Sequence, residues 1–285
     1  MTAPAPGTPE WSRLVTASKV AAILGLSPWE SPRSMWHAMR LELPPTPESR
    51  PMRRGNMLEN AVLDWWLADN PDWEEVARQP VYSIDDWCLA TPDMLVKHRD
   101  TGQQMLVDAK TTSSDMDWTD EAPAYYVASS MWQLAMAPGV DRVCLATLFG
   151  QPFDLRSFYV ERDDDLIESV IDRCREFYDS LSADTAPPLD EHPATYDAVR
   201  KLHPDIDRDA SVELTYDEAC EYIAACRRMT IAEERSRAAK SLVLDRMGKA
   251  RVATHNGQTI ARRQPNRYGV SLVPVATLIE SEPAA

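Results

Sequence analysis

Two apolar stretches, residues 87–97 (WCLATPDMLVK) and 104–110 (QMLVDAK), flank Arg99-Asp100-Thr101-Gly102, whose residues suit a tight hairpin turn. This pairing constrains the fold more than any other feature, because the centre of a hairpin sets which residues face each other. With the turn centred on Asp100 and Thr101, Asp93 and Asp108 occupy mirrored positions seven residues away on either side. Their β-carbons are then expected ~5 Å apart across neighbouring strands. Two carboxylates that close raise each other's pKa and cost stability unless a cation lies between them. Lys110 follows Asp108 by two residues and so projects from the same face of its strand.

Helical patterns surround the hairpin. A first helix is expected over 16–24, with Thr16 or Ser18 near its cap, and Ser31-Pro32 supplies a cap and first-turn proline for a second helix to Leu41. The proline-rich segment Leu43–Pro51 reads as a loop. An amphipathic helix is expected over 52–69 with Leu58, Ala61, Val62, Trp65 and Trp66 as its apolar stripe. Glu59 lies three residues before Val62 and seven before Trp66, so it points into that stripe. Further strands are expected at 79–84, 142–149 and 153–160. Helices are expected between Pro123 and Gly139 and over 163–182.

The expectation is an α/β (α+β) chain: a core over 1–185 with a central mixed sheet flanked by helices, a proline-rich connector over 186–210, and an extension over 211–285. In that extension Thr215 and Glu218 form a capping box for a long helix stopped by Gly248. Residues 251–273 then alternate around His255-Asn256-Gly257, a hairpin pattern.

Composition narrows the function classes. The chain has 285 residues, 44% hydrophobic and 26% charged, so it can bury a core. No run of eighteen apolar residues occurs, and the start MTAPAPGTPE has neither a basic nor an apolar leader region. The expectation is a cytoplasmic, soluble protein without a membrane partner. Five scattered cysteines with no CxxC pair argue against a disulfide frame or zinc ribbon. The five histidines show no HExxH spacing, and neither GxSxG nor GxxxxGK[ST] occurs, which excludes common zinc, serine-hydrolase and P-loop sites.

The net charge of −15 argues against a polyanionic partner in general, yet it is unevenly distributed. Residues 222–267 hold eleven Lys or Arg against three acids, a local +8 that leaves −23 elsewhere. That segment reads either as a solvated helix face or as a cationic stripe.

Glu59, Asp93 and Asp108 with Lys110 would make an oxygen-lined pocket suited to Mg²⁺ or Mn²⁺. Two such ions clamp a phosphodiester, one activating water and the other stabilising the leaving oxygen. The plainer reading is a turn aspartate after a proline and a surface Asp108–Lys110 pair.

Four blocks in order resemble the YqaJ-type phage recombination exonucleases, relatives of lambda exonuclease in the PD-(D/E)xK restriction-endonuclease-like superfamily. They are VTASKVAAILGLSPWESP (15–32), MRRGNMLENAVLDWW (52–66), LATPDMLV with MLVDAKTT (89–96 and 105–112), and PAYYVASSMWQLAMAPGVDRVCLATL (123–148). The resemblance implies a Mg²⁺-dependent exonuclease that degrades double-stranded DNA ends 5′ to 3′ and leaves 3′ single strands.

Carried over by position, the resemblance makes Glu59, Asp93, Asp108 and the Ala109 carbonyl the metal ligands and Lys110 the catalytic lysine. It further assigns Ser18, Thr91 and Arg13 to the terminal 5′-phosphate. Ser129 and Met131 stand where the family carries a glutamine. Gln133, one turn beyond Ser129 on the same helical face, is placed to take over. A ring-shaped homotrimer is implied too, its channel lined by Arg33, Arg53 and Arg54 and by the 222–267 stripe. That extension could equally bind a single-strand annealing protein. The alternatives are a catalytically weak DNA-end-binding module and a structure-specific endonuclease of the same fold.

Overall fold

The computed structural model describes residues 4, 7–113, 118, 120–151, 153–267 and 269–275. The chain divides into two units, Met1–Ile206 and Asp207–Ala285.

The first unit opens with a short helix α1 (Pro9–Ser12), strand β1 (Val15–Thr16) and helices α2 (Ala17–Ile23) and α3 (Pro32–Met39). Ser31 caps α3 in a reciprocal box with Ser34, and Pro32 occupies the first turn, where its missing N–H costs nothing. Helix α4 (Arg50–Asp69) follows the proline loop and leads into β2 (Trp73–Arg78), β3 (Cys88–Leu89), β4 (Met94–His98) and β5 (Gln104–Thr112). Then come α5 (Ala124–Met136), β6 (Arg142–Gly150), β7 (Phe153–Glu161), α6 (Asp164–Ser182) and α7 (Pro193–Leu202).

Five strands form one mixed sheet in the order β2-β4-β5-β6-β7. All neighbours are antiparallel except β5 and β6, whose parallel pairing requires the crossover through α5. Side chains alternate across the sheet. Leu95, Leu106, Val143 and Leu145 pack with Met131, Leu134 and Ile167 of α5 and α6. Met94, Val96, Met105, Val107 and Cys144 pack with Val62, Leu63 and Trp66 of α4. Helices on both faces explain why these strands read as continuous apolar runs.

Three local expectations change. Residues 79–84 form no strand: Gln79 has φ +47 and precedes Pro80, so pairing stops there and leaves a single bridge between Tyr82 and Ala90. The strand is displaced to Trp73–Arg78, where it pairs with β4 through a bulge between Glu75 and Ala77. The 87–97 stretch is broken into β3 and β4 around Pro92, which has no N–H to give the ladder. On α4 the buried positions are Val62, Leu63 and Trp66. Ala61 is exposed, and Trp65 lies near the surface with its ring 5.9 Å from that of Phe153.

The second unit comprises α8 (Tyr216–Met247) and an antiparallel sheet of β8 (Val252–His255), β9 (Gln258–Asn266) and β10 (Gly269–Pro274). The Thr215–Glu218 capping box forms, and Gly248 ends the helix at φ +48. Asn256 and Gly257, both at positive φ, make the turn between β8 and β9. The expected hairpin is thus part of a three-stranded sheet.

Candidate active site

The last Cα pair of the β4–β5 ladder is Met94 with Val107, so the next step sets Asp93 opposite Asp108. Each carboxylate also grips the opposite backbone. Asp108 Oδ1 accepts from the Asp93 N–H at 3.1 Å, and Asp93 Oδ2 accepts from the Ala109 N–H at 2.8 Å. Lys110 Nζ donates to Asp108 Oδ2 at 3.1 Å and to the Ala109 carbonyl at 3.3 Å, and lies 5.6 Å from the centre of the Tyr126 ring. From α5, Gln133 Nε2 donates to Asp108 Oδ2 at 2.9 Å. Gln133 therefore occupies the place beside the acids that Ser129 does not fill, since Ser129 Oγ donates to the Tyr125 carbonyl instead.

Burial pushes the Asp93 carboxyl up to about 7, and the Asp108 and Glu59 charges push the same way against Lys110. Burial disfavours the Lys110 ammonium, but Asp108 and Asp93 outweigh it and hold that group above the ordinary lysine value. The result is a pair of mutually repelling acids beside one fixed cation.

Glu59 approaches from α4, the helix on the other face of the sheet, and accepts a hydrogen bond from Gln79 Nε2 at 3.0 Å. The Gln79 N–H donates to the Asp93 carbonyl at 2.9 Å. Gln79 thus links Glu59 to the strand bearing Asp93. Nothing local in the sequence points to this residue, because its role arises from strained backbone at the end of β2.

Asp93, Asp108, Lys110 and Gln133 open into a cleft of about 400 Å³, also lined by Ser18, Trp29, Thr91, Tyr125 and Ser129; Glu59 is not among its lining residues. Trp29 is 63% exposed, and its ring meets that of Tyr125 edge-on at 5.2 Å. Ser18 and Thr16 hydroxyls share a hydrogen bond of 3.0 Å. Arg13 is exposed and is not among the residues lining this cleft. Arg33 donates to the Pro187 carbonyl at 2.6 Å, while Arg53 and Arg54 are exposed near the start of α4.

Lys19 lies in the 15–32 block, where the resemblance gives it no role; it is buried and donates to the carbonyls of Trp11, Ser12 and Leu14 at 3.2, 2.7 and 2.6 Å. It ties the end of α1 to α2 beside the cleft. A lysine inside the apolar run of α2 is the trace it leaves in the sequence.

Among the described residues, no three His, Cys, Asp or Glu side chains are gathered closely enough to hold a metal by themselves. The group nevertheless suits a hard divalent cation. Asp93 and Asp108 repel each other, Ala109 offers a carbonyl, and the Gln133 Oε1 oxygen is buried without a hydrogen-bond partner in the structure.

Residues 11–139 match the model of the YqaJ-like viral recombinase domain. Over this stretch the chain is thus similar to the YqaJ-like viral recombinase domain. The chain is 25% identical over 212 residues to the Uncharacterized protein YqaJ of Bacillus subtilis (strain 168), covering 70% of this chain and 64% of that relative. This chain therefore spans somewhat under two thirds of that relative's length.

Among solved structures, this chain is similar to the alkaline exonuclease LHK-Exo from Laribacter hongkongensis. The TM-score is 0.48 at 21% identity, covering 62% of this chain and 94% of that one. It is also similar to a phage related exonuclease from Haemophilus somnus 129PT, with a TM-score of 0.44 at 12% identity over 61% and 96% of the two chains. The matched stretch runs from within α1 through α5 and includes Glu59, Asp93, Asp108, Lys110 and Gln133.

Proposed function

We propose that this chain is a Mg²⁺-dependent deoxyribonuclease, with Mn²⁺ as a substitute, that digests double-stranded DNA ends 5′ to 3′ and leaves 3′ single strands for recombination. The observation that carries this reading is the Asp93–Asp108 pair with Lys110 and Gln133 at the base of an open cleft. The viral recombinase domain match supports a DNA substrate.

In this reading Asp93, Asp108, the Ala109 carbonyl and Gln133 Oε1 hold the cation, with Glu59 at its edge. The bound ion would activate water and stabilise the leaving oxygen of a phosphodiester. Lys110 is kept protonated by its acidic neighbours, so it acts as a fixed positive charge toward the phosphoryl oxygens and not as a base. Ser18 and Thr91, on the cleft wall, offer hydroxyl donors to a terminal phosphate, and Arg53 and Arg54 offer charge to the backbone. A ring of three copies and a single-strand annealing protein partner belong to the same reading, on the resemblance of the four sequence blocks.

The test is linear duplex DNA labelled at its 5′ or 3′ ends, incubated with Mg²⁺ or EDTA. Mg²⁺-dependent release of the 5′ label as mononucleotide, with the 3′-labelled strand persisting, supports the reading. Binding to ends without cleavage sinks it in favour of an end-binding module. Discrete internal cuts point to an endonuclease.

A further inference from the structure

Many cations of the first unit are neutralised, although Arg13, Arg50, Arg53 and Arg54 form no ion pair among the described residues. Arg40, Arg78, Arg99, Arg142, Arg162 and Arg175 each lie within 3.6 Å of a carboxylate oxygen. The segment 222–267 is built differently. Among the described residues, Arg228 pairs with Glu221, but Arg235, Arg237, Lys240, Lys249, Arg251 and Arg262 form no ion pair. Even Glu233, four residues before Arg237, is not engaged with it, although that spacing favours a pair.

The sheet adds to the imbalance. The Arg263 N–H donates to the Arg251 carbonyl at 2.9 Å, so two arginines stand opposite each other on β9 and the approach to β8. Like charges directly opposite destabilise a sheet unless an anion relieves them. Arg262 is paired with Val252 in the β8–β9 ladder and is exposed.

The helix dipole accounts for part of this charge. Arg246 and Lys249 flank the C-terminal end of α8, and the Arg263 guanidinium donates to the Gly248 carbonyl. It does not account for Arg235, Arg237 and Lys240 in the helix interior, nor for Arg251 and Arg262 beyond it. The apolar residues of α8 do not form a stripe either. Tyr222 and Ile231, both exposed, fall on opposite sides at 100° per residue, so the helix lacks a seam for a partner helix.

We propose that the cationic segment of the second unit binds the phosphate backbone of DNA, as a sequence-independent arm of the protein. The choice of DNA rests on the nuclease reading above. The cations left without carboxylates are the groups that phosphates would neutralise, on a chain whose remaining charge repels polyanions.

The experiment measures binding of the full chain to a blunt labelled duplex in EDTA, by fluorescence anisotropy from 50 to 200 mM salt. The parent is compared with R235Q/R237Q/K240Q, with K249Q/R251Q/R262Q and with R235K/R237K and R251K/R262K. Each glutamine variant is expected to bind at least ~10-fold more weakly at the low-salt end. Each is also expected to reduce the slope of log affinity against log salt by about 0.9 for every phosphate it no longer neutralises.

The lysine variants keep the charge and are expected to keep the parent slope; a glutamine-like loss in them would overturn the proposal by showing that shape, not charge, matters. Parent-like affinity and slope in folded glutamine variants would also overturn it. So would a changed sedimenting mass with DNA affinity intact, which would make the segment a protein interface. Because EDTA blocks cleavage, the two readings fail separately. A parent that does not cut DNA but loses affinity on charge removal sinks the nuclease alone. A parent that cuts while the variants bind normally sinks the arm alone.

Discussion

Asp108 accepts from the Asp93 N–H, Lys110 and Gln133, so its removal touches every member of the cluster. Asp108→Asn keeps the shape and removes the charge. Cleavage is expected to fall by about 100- to 1,000-fold with the far-ultraviolet circular dichroism unchanged. Full activity in the folded variant would break the site assignment. Gln79 acts one step away. Gln79→Gly tolerates the positive φ while losing the bond to Glu59, and the Mg²⁺ concentration for half-maximal rate is expected to rise about 10-fold. A fall in maximal rate with no change in Mg²⁺ demand would show that Gln79 does not act through Glu59.

Lys19 gives a pH prediction whose sign follows from burial, which lowers its ammonium to about 8. Below pH 8 both the folded and the unfolded chain carry the proton, and the cost of burying the charge is complete. From about 8 to the unfolded value of 10.5 the folded chain sheds its proton first, so stability rises with pH in that window. The gain is at most about 3 kcal/mol, since the three carbonyls that accept from Nζ favour the charged form. Comparing urea unfolding of the parent and Lys19→Met between pH 7.5 and 10 checks it. The parent should gain relative to the variant as pH rises, and a flat difference would remove the buried ammonium from the account.

At the scale of elements, the helix boundaries are legible because caps are local. Ser31-Pro32, Thr215 with Glu218, and Gly248 all act within one turn, and each stands where its chemistry requires. Ser31 also has a tertiary role invisible in the sequence, since the Thr195 hydroxyl of α7 donates to its Oγ at 2.6 Å in a buried position. Ser31→Ala should therefore cost about 2 kcal/mol by denaturant unfolding, the sum of a lost cap and a stranded hydroxyl. A cost under about 0.5 kcal/mol would mean that neither bond matters. The strand expected at 79–84 does not form, for the opposite reason. Whether QPVYSI pairs depends on the backbone at Gln79 and on where β4 begins, which no short window contains.

At the scale of the molecule, the two units differ in how they are held. The first carries three buried apolar clusters. In the second, Met247 and Ala261 are the buried apolar residues among those described. Residues 203–214 between α7 and α8 are almost entirely exposed and contain no helix or strand. Mild trypsin treatment is expected to cut first at Arg208, read by mass spectrometry as an N-terminal fragment ending there. A first cut within α5 or the central sheet would contradict this division.

The facing of Asp93 and Asp108 was determined by the sequence alone, because a hairpin's register depends only on where its turn is centred. The helix between Pro123 and Gly139 and the long capped helix were equally legible, through periodicity and caps, whereas the parallel pairing that makes the first a crossover was not. Tertiary structure decided what surrounds the pair. It brought Gln133 onto Asp108, directed Gln79 to Glu59, turned Arg33 toward the Pro187 carbonyl and left Arg13 outside the cleft lining. Those outcomes depend on the packing of residues far apart in the chain, and local pattern carries no distance between them.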